Sequence, residues 1–214
     1  MIDIKFNLPE DIEAESMKII EEELKKLDGG TNINPVVKRV IHATADFDFA
    51  KTLMFSENAY EKAIEILKCG AVIVADTNMI RAGINKKALE KLNCSVKCFM
   101  SDEDVASKAK LLGVTRAAIS MEKAAAIEGH VVFAIGNAPT ALIKLHELME
   151  ENKITPSLII GVPVGFVNVV ESKELILNQN KVPYIVSQGR KGGSTVAVSI
   201  CNALMYEAIR QLKL

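Results

Sequence analysis

Residues 131–150 read VVFAIGNAPTALIKLHELME, and this stretch decides the fold class. Its first five residues are apolar and mostly β-branched, which predicts a strand that is covered on both faces. Gly136 then introduces a turn, and Pro139 stands where the first turn of a helix tolerates a residue without an N–H group. From Thr140 to Glu151 the apolar residues recur at helical spacing. The stretch therefore predicts one strand–turn–helix unit of an α/β domain.

Outside this unit, short aliphatic runs alternate with helical stretches along the whole chain. Strands are predicted at Leu53–Phe55, Ala71–Ala75, Val96–Phe99, Val131–Ile135, Leu158–Gly161 and Tyr184–Ser187. Helices are predicted at Pro9–Leu27, from Asn34-Pro35 onward, and at Glu57–Cys69, Lys86–Leu92, Asp102–Leu112, Thr115–Glu128, Thr140–Glu151, Glu171–Gln179 and Ser194–Leu212. This alternation favours a mostly parallel sheet between helix layers, in a single domain that spans residues 1–214.

Composition limits the classes of function. The 214 residues include 26 Lys and Arg against 27 Asp and Glu, so no basic field would attract nucleic acid or an acidic membrane surface. No apolar run reaches the ~18 residues that a membrane-spanning helix needs, and MIDIKFNLPEDIEAES at the amino terminus lacks the pattern of a signal peptide. The four cysteines form no C-x-x-C pair and are expected to be reduced core side chains. A cytoplasmic protein without a metal site is predicted.

The turns that follow the predicted strands form the candidate binding site, because ligands of open parallel sheets bind at the carboxyl ends of the strands. These turns read ADTN (75–78), IGNAPT (135–140), GVPVGF (161–166) and QGRKGGS (188–194). Two of them lead directly into a helix, whose first N–H groups can bind an anion. The candidate anion-binding residues in those two turns are Gly136, Asn137, Arg190, Gly192, Gly193 and Ser194.

The two glycine-bearing turns also fit a purely structural role as helix starts. Neither has the G-x-G-x-x-G or G-x-x-x-x-G-K-[ST] spacing, so neither a dinucleotide nor a Walker-type phosphate loop is indicated. A phosphate- or nucleotide-binding α/β enzyme that uses Gly192 and Gly193 stays open as an alternative.

The segment RVIHATADFD, residues 39–48, contains the candidate acid–base residue. On a helix, Arg39 and His42 would share one face at i, i+3 spacing, and a histidine titrates near neutral pH. Taken alone, a single histidine in a half-apolar stretch is more often structural. His130 and His146 are expected to be structural or exposed, and the sequence contains no readable Ser–His–Asp or Cys–His arrangement.

Five segments of the sequence resemble those of one protein family and occur in the same order as in that family. They are RVIHATADFDFA (39–50), DTNMIRAGI (76–84), AIGNAPTAL (134–142), GVPVGFVNVVESKE (161–174), and GRKGGSTVAV with NAL (189–204). Together they resemble the precorrin-8X methylmutase family, including its cobalt-precorrin-8 branch. The resemblance implies a flavodoxin-like, three-layer α/β/α fold with a mostly parallel central sheet, a homodimer and no cofactor. It also implies an isomerase of cobalamin biosynthesis that moves a methyl group from carbon 11 to carbon 12 of a corrinoid tetrapyrrole, with or without cobalt.

The resemblance also assigns roles to individual residues. His42 matches the family's acid–base histidine, Ser16 its substrate-contacting serine in the first helix, and Arg39 the arginine of the histidine motif. The predicted substrate-binding set is completed by Thr44, Glu171 and Ser172. Substrate carboxylates are expected to meet Arg39, Arg81, Arg116, Lys173, Arg190 and Lys191, and the ring face to meet Val162, Pro163, Val164 and Phe166. A non-catalytic corrinoid carrier of the same fold stays open as a second alternative.

Overall fold

The structure is a computed structural model that describes residues 8–28 and 34–213. Within these residues the strands are β1 (Leu53–Phe55), β2 (Val72–Ala75), β3 (Ser95–Lys97), β4 (Val131–Ile135), β5 (Leu158–Gly161) and β6 (Tyr184–Ser187). The helices are α1 (Pro9–Asp28), α2 (Pro35–Thr44), α3 (Phe49–Thr52), α4 (Ala59–Lys68), α5 (Asn78–Gly83), α6 (Lys86–Lys91), α7 (Glu103–Leu112), α8 (Arg116–Ala124), α9 (Pro139–Glu150), α10 (Val169–Leu177) and α11 (Ser194–Leu212).

The strands form one sheet in the order β1-β6-β5-β4-β2-β3. All neighbouring pairs are parallel except β1, which runs antiparallel to β6 at the edge. Read from the β3 edge, the five parallel strands lie in the order β3-β2-β4-β5-β6. Renumbered from one to five along the chain, this order is 2-1-3-4-5, which is the flavodoxin-like arrangement. The predicted fold class is confirmed.

Both faces of the sheet are covered by helices, as the apolar strands predict. Successive residues of a strand point to opposite faces, and in β4 the side chains of Val132 and Ala134 enter one core while Phe133 and Ile135 enter the other. The first core is closed by α1, α2, α4, α5, α6 and α11, and the second by α8, α9 and α10. The protein is thus a three-layer sandwich with the sheet in the middle.

Some predicted bounds and environments differ from the structure. β3 covers Ser95–Lys97 rather than 96–99, and the sequence does not predict α3 or α5. Both helices are too short for helical periodicity to be visible; α5 is set instead by Thr77, whose side chain accepts the N–H of Ile80. Cys69 is exposed at the end of α4, so it is not a core cysteine.

The first helix packs on the second through ion pairs and an apolar face. Ile20 and Leu24 of α1 are buried, and Lys38 of α2 donates to Glu21 at 2.7 Å. Over residues 8–28 and 34–213, no helix combines the length and the apolar character needed to cross a membrane.

Candidate functional site

The switch point of the sheet lies between β2 and β4, adjacent strands whose following helices, α5 and α9, pack on opposite faces. Asp76 follows β2 directly, and residues 136–138, the β4 turn, follow β4. The Asp76 side chain is completely buried. Its Oδ1 accepts the N–H of Gly136 at 2.9 Å, and its Oδ2 accepts those of Asn137 at 2.8 Å and Ala138 at 2.6 Å. One internal carboxylate therefore takes every N–H group of the β4 turn.

This contact corrects a prediction from the sequence. The start of α9 is predicted to face an external anion through Gly136, yet Gly136 is buried and its N–H group is bound to Asp76. Only the side chain of Asn137 remains exposed in this turn. Burial raises the pKa of the Asp76 carboxyl above its ordinary value, and the hydrogen bonds from the three N–H groups oppose that rise.

The turn that follows β6, residues 188–193, is held by a cation. Lys173 of α10 donates from Nζ to the carbonyl oxygens of Gly189 and Lys191, both at 2.8 Å. The Lys173 side chain is 1% exposed, and burial lowers its pKa to about 8. The sequence predicts that Lys173 meets a substrate carboxylate; this prediction is wrong, because the ammonium group points inward at the backbone of the β6 turn.

The β6 turn lies directly on the loop that follows β5, residues 162–168. A Cβ atom added to Gly192 would come within 2.2 Å of the Val162 carbonyl oxygen and 2.8 Å of the Pro163 carbonyl oxygen. The N–H group of Gly193 donates to the same Val162 oxygen at 2.8 Å. Only a residue without a side chain allows this approach of two backbones.

The last helix begins beside the switch point. Its N-cap residue, Gly193, has no side chain, and no other described side chain caps the first N–H groups of α11. The hydroxyl of Ser194 lies 3.0 Å from that of Thr77. Gly136 is so close that an added Cβ atom would come within 2.8 Å of the Ser194 Cα atom. The start of α11 is thus the uncapped helix start of the site.

The candidate acid–base residue lies at the exposed end of α2. His42 is exposed in the last turn of this helix, with Arg39 one turn earlier on the same face, as the spacing predicts. Four residues after His42, Asp46 accepts a hydrogen bond from Lys191 Nζ at 2.6 Å, and Asp48 accepts another at the same distance. These bonds lower the pKa of Asp46 and raise that of Lys191. The end of α2 is thereby bound to the β6 turn.

Arg39 and Ser16 lie at the junction of α1 and α2. Arg39 donates from Nη1 to Glu13 Oε1 at 2.8 Å, and its guanidinium carbon lies 5.3 Å from the ring centroid of Tyr206. Ser16, one turn after Glu13, donates to the carbonyl oxygen of Ile12 at 2.7 Å. The structure therefore brings these two predicted substrate residues to one junction, where the carboxylate of Glu13 already pairs with the arginine.

The loop after β5 exposes apolar side chains beside a cation. Val164, Phe166 and Val167 are 47%, 83% and 78% exposed. The guanidinium carbon of Arg190 lies 5.8 Å from the ring centroid of Phe166, and Arg190 has no carboxylate partner in the described part of the chain. Val162 and Pro163 are buried, so their predicted contact with a ring face is wrong.

Comparison with known proteins gives the family. The family model described as precorrin-8X methylmutase matches residues 11–207. The chain belongs to the precorrin-8X methylmutase family. This is a family of methyl-migrating isomerases of cobalamin biosynthesis.

Its relatives match it over most of their length. A cobalt-precorrin-8 methylmutase of Priestia megaterium is 44% identical over 196 residues, which cover 92% of this chain and 87% of the relative. One of Leptospira interrogans is 44% identical over 206 residues, covering 93% and 94%. The crystal structure of a precorrin-8X methylmutase from Thermus thermophilus superposes with a TM-score of 0.82 at 35% identity, covering 94% of this chain and 98% of that one.

The structure does not bring every residue of the predicted methylmutase site together. Ser172 is fully buried and its hydroxyl donates to the Val169 carbonyl oxygen at 3.0 Å, so its predicted substrate contact is not supported. Glu171, beside it, is exposed in the first turn of α10. Thr44 ends α2 and donates to the Val40 carbonyl oxygen at 2.8 Å, which leaves it near His42 but internally bonded.

A second cleft, of about 490 Å³, lies at the opposite edge of the sheet, between residues 55–57 and 177–184. It contains neither His42 nor the carboxyl end of any strand in the parallel part of the sheet, so it is separate from the predicted site residues described above. Within the described ranges, no group of three or more His, Cys, Asp or Glu side chains is arranged to hold a metal ion.

Sequence reasoning missed the role of Asp76 and assigned Lys173 to the substrate instead of to the backbone, although the sequence contains an indication of both internal roles. Ala138 precedes α9 and has no side-chain acceptor, so the helix start needs an acceptor from elsewhere. Lys173 follows Val169 by four residues and precedes Ile176 by three, which places it on the buried face of α10.

Proposed function

We propose that this chain moves a methyl group from carbon 11 to carbon 12 of cobalt-precorrin-8, with His42 as the acid–base residue. Membership of the precorrin-8X methylmutase family supports the reaction class, and the Priestia and Leptospira relatives are named cobalt-precorrin-8 methylmutases. The structural observation that carries the proposal is the exposure of His42 at the end of α2, four residues from the contact between Asp46 and Lys191.

The reaction requires the protein only to bind the macrocycle and to polarise its conjugated ring. One carbon–carbon bond breaks and another forms within a single molecule, so the step needs no oxidant, reductant or second substrate. An imidazolium that gives a proton or hydrogen bond to the conjugated ring makes the carbon that receives the methyl group electron-poor, and it recovers the proton afterwards. Histidine reaches both protonation states near neutral pH. General acid catalysis of this kind contributes about 10²–10⁴-fold.

The carboxyl edge offers groups that suit a flat apolar ring bearing carboxylates. Val164, Phe166 and Val167 supply an apolar surface, and Arg190 beside them has no described carboxylate partner. The uncapped start of α11 supplies the N–H groups of Gly192 and Ser194 for a carboxylate, and Gly193 lies between them with its own N–H group bound to Val162. We assign substrate contacts to these residues and to Asn137, and keep Ser16, Arg39, Thr44 and Glu171 as predicted contacts.

Replacement of His42 tests the catalytic assignment. His42→Ala should reduce turnover by at least about 10²-fold, because the general acid is lost, while binding of the macrocycle persists. His146→Ala, a change in the middle of α9, is the matched control and should keep turnover. Conversion is followed by the change in the absorption spectrum. Near-normal turnover in His42→Ala would contradict the assignment, and wild-type protein that binds the corrinoid without changing its spectrum would favour the carrier alternative.

Replacement of Arg39 tests carboxylate binding. Arg39→Ala should raise the dissociation constant for the macrocycle about tenfold or more, since a charge-assisted contact is lost. Because Arg39 pairs with Glu13, Glu13→Gln is the control that breaks the internal pair and keeps the arginine. We expect Glu13→Gln to bind at least as tightly as wild type. An unchanged dissociation constant in Arg39→Ala would remove Arg39 from the binding set.

We also propose that the chain forms a homodimer and works in the cytoplasm. Light scattering should give twice the chain mass of 23.3 kDa. Turnover with cobalt-loaded and with metal-free substrate, compared side by side, tests the choice of the cobalt form.

A further inference from the structure

We propose that Asp76 is a positioning residue for the corrinoid: its buried carboxylate fixes the β4 turn so that the side chain of Asn137 faces the ligand. The inference rests on the proposed function for the identity of the ligand. Asp76 itself does not touch the ligand, because its side chain is completely buried.

The contacts of Asp76 are those of a residue that holds backbone in place. Its two oxygens accept three N–H groups within 2.9 Å, and its own N–H donates to the carbonyl oxygen of Ala134 in β4 at 3.3 Å. Hydrogen bonds from N–H groups to a carboxylate are stronger than those between neutral groups. The residue thereby joins the end of β2 to the turn after β4, across 60 positions of sequence.

The β4 turn has no other source for these bonds in the described structure. Ala138 cannot cap α9 with its side chain, and Pro139 has no N–H group. Without the carboxylate, the N–H groups of Gly136, Asn137 and Ala138 would lose their acceptor in a place where Gly136 is buried. The conformation of the turn, and with it the direction of the Asn137 side chain, therefore depends on Asp76.

The same carboxylate fixes the turn relative to the start of α11. Gly136 has no room for a Cβ atom against Ser194 and the Gly193 carbonyl oxygen. Thr77, the next residue after Asp76, places its hydroxyl 3.0 Å from that of Ser194. Asn137 is thus bound to Asp76 and Ser194 to the next residue, Thr77, so a shift of the β4 turn changes the spacing between these two proposed ligand contacts.

A double-mutant cycle tests the inference, with Asp76→Asn and Asn137→Ala made singly and together. The asparagine keeps the size of the side chain but turns an NH₂ group towards an N–H donor of the turn. The binding probe is hydrogenobyrinic acid, the metal-free product of the proposed reaction, titrated by its absorption. Each single variant should weaken binding at least about tenfold, and the double variant no more than the worse single one, because both act through one contact.

The controls separate positioning from plain stability. Asp104→Asn changes a surface carboxylate that pairs with Lys123 and should bind as wild type. Conversion of substrate by Asp76→Asn should show a raised KM with a kcat close to normal, which a fraction of unfolded protein would not produce.

Three outcomes would overturn the inference. The first is a folded Asp76→Asn variant that binds the probe as tightly as wild type. The second is a double-mutant cycle in which the losses of the two single variants add up. Asn137→Ala changes only an exposed side chain, so wild-type binding in that variant is decisive even if Asp76→Asn does not fold. Failure of the wild-type chain to bind any corrinoid would instead refute the proposed function.

Discussion

The β4 turn and the β6 turn lie at the same edge of the sheet, and each is held by one buried ion, but the two ions have opposite signs. Asp76 accepts the three N–H groups of the β4 turn, whereas Lys173 donates to two carbonyl oxygens of the β6 turn. A carboxylate only accepts hydrogen bonds and an ammonium group only donates them. Each turn is therefore left with the opposite set of backbone groups for a ligand.

This difference decides where an anion can bind. In the β4 turn the N–H groups are already taken, so the start of α9 is closed to a substrate carboxylate. In the β6 turn Lys173 takes the carbonyl oxygens of Gly189 and Lys191, and the N–H groups of residues 189–192 make no hydrogen bond among the described residues. A glycine-bearing helix start is thus an anion site only when no internal carboxylate reaches it.

Removal of Lys173 should give the largest change in stability. Lys173→Met leaves the carbonyl oxygen of Gly189 without a donor, at about 1–3 kcal/mol for an unpaired group, and leaves that of Lys191 with the Ser187 hydroxyl alone. Desolvation of the charged lysine offsets part of that loss near pH 7. We therefore expect a loss of about 3 kcal/mol in the free energy of unfolding at about pH 10, where Lys173 is largely neutral, and a smaller loss at pH 7.

The sign follows from the pKa of Lys173, which burial lowers from 10.5 to about 8. Between these values the unfolded chain binds more protons, so the folded state gains stability as the pH rises. Urea unfolding of both proteins at several pH values measures the difference. Lys181→Met, which changes an exposed lysine, should show no such rise. A difference that is flat or falls with pH would mean that Lys173 is not held as described.

Glycine replacements should have the next largest effect, and they compare the two turns directly. Gly192→Ala would place a Cβ atom 2.2 Å from a backbone oxygen, whereas in Gly136→Ala the nearest atom is 2.8 Å away. Because neither neighbour is a flexible side chain, we expect losses of about 1–3 kcal/mol, larger at Gly192. Thermal unfolding ranks the two variants. The reverse order would mean that the β6 turn moves away from the loop after β5 more easily than the β4 turn moves from α11.

Much of the fold could be predicted because apolar strand runs and helical periodicity are local signals. The order of the parallel strands is not local, and β1 is only three residues long, so its antiparallel pairing with β6 was not predictable from the run Leu53–Phe55. The order of the parallel strands matters for the site because it makes β2 and β4 neighbours. The contact of Asp76 with Gly136 depends on it.

Residue types were predicted better than their roles. His42 and Arg39 share a helix face as their spacing predicts, and Phe166 is exposed. Gly136 and Lys173 were assigned to the ligand because glycine N–H groups and lysine side chains commonly bind anions. In the structure both instead make hydrogen bonds within the protein. The partners that take them up, Asp76 and the carbonyl oxygens of the β6 turn, lie 60 and 16–18 positions away along the chain.

The smallest effect is expected at Gly189, where conformation rather than space is limiting. Gly189 has a φ of +73° and an added Cβ atom would meet nothing within 4 Å. An alanine there should cost about 1–2 kcal/mol, the strain of a left-handed conformation. Gly113→Ala, at φ +65° and also in open space, is the matched control outside the site.

The value of this replacement lies in its coupling to Lys173. While Lys173 holds the Gly189 carbonyl oxygen, the turn cannot relax its φ angle, so the alanine bears the full strain. In a Lys173→Met background the turn is released, and the loss caused by Gly189→Ala should become smaller, whereas that caused by Gly113→Ala should not change. Urea unfolding of the four combinations measures this coupling. Equal losses in both backgrounds would mean that the lysine does not control the conformation of the β6 turn, and that the contrast with the β4 turn lies in sign alone.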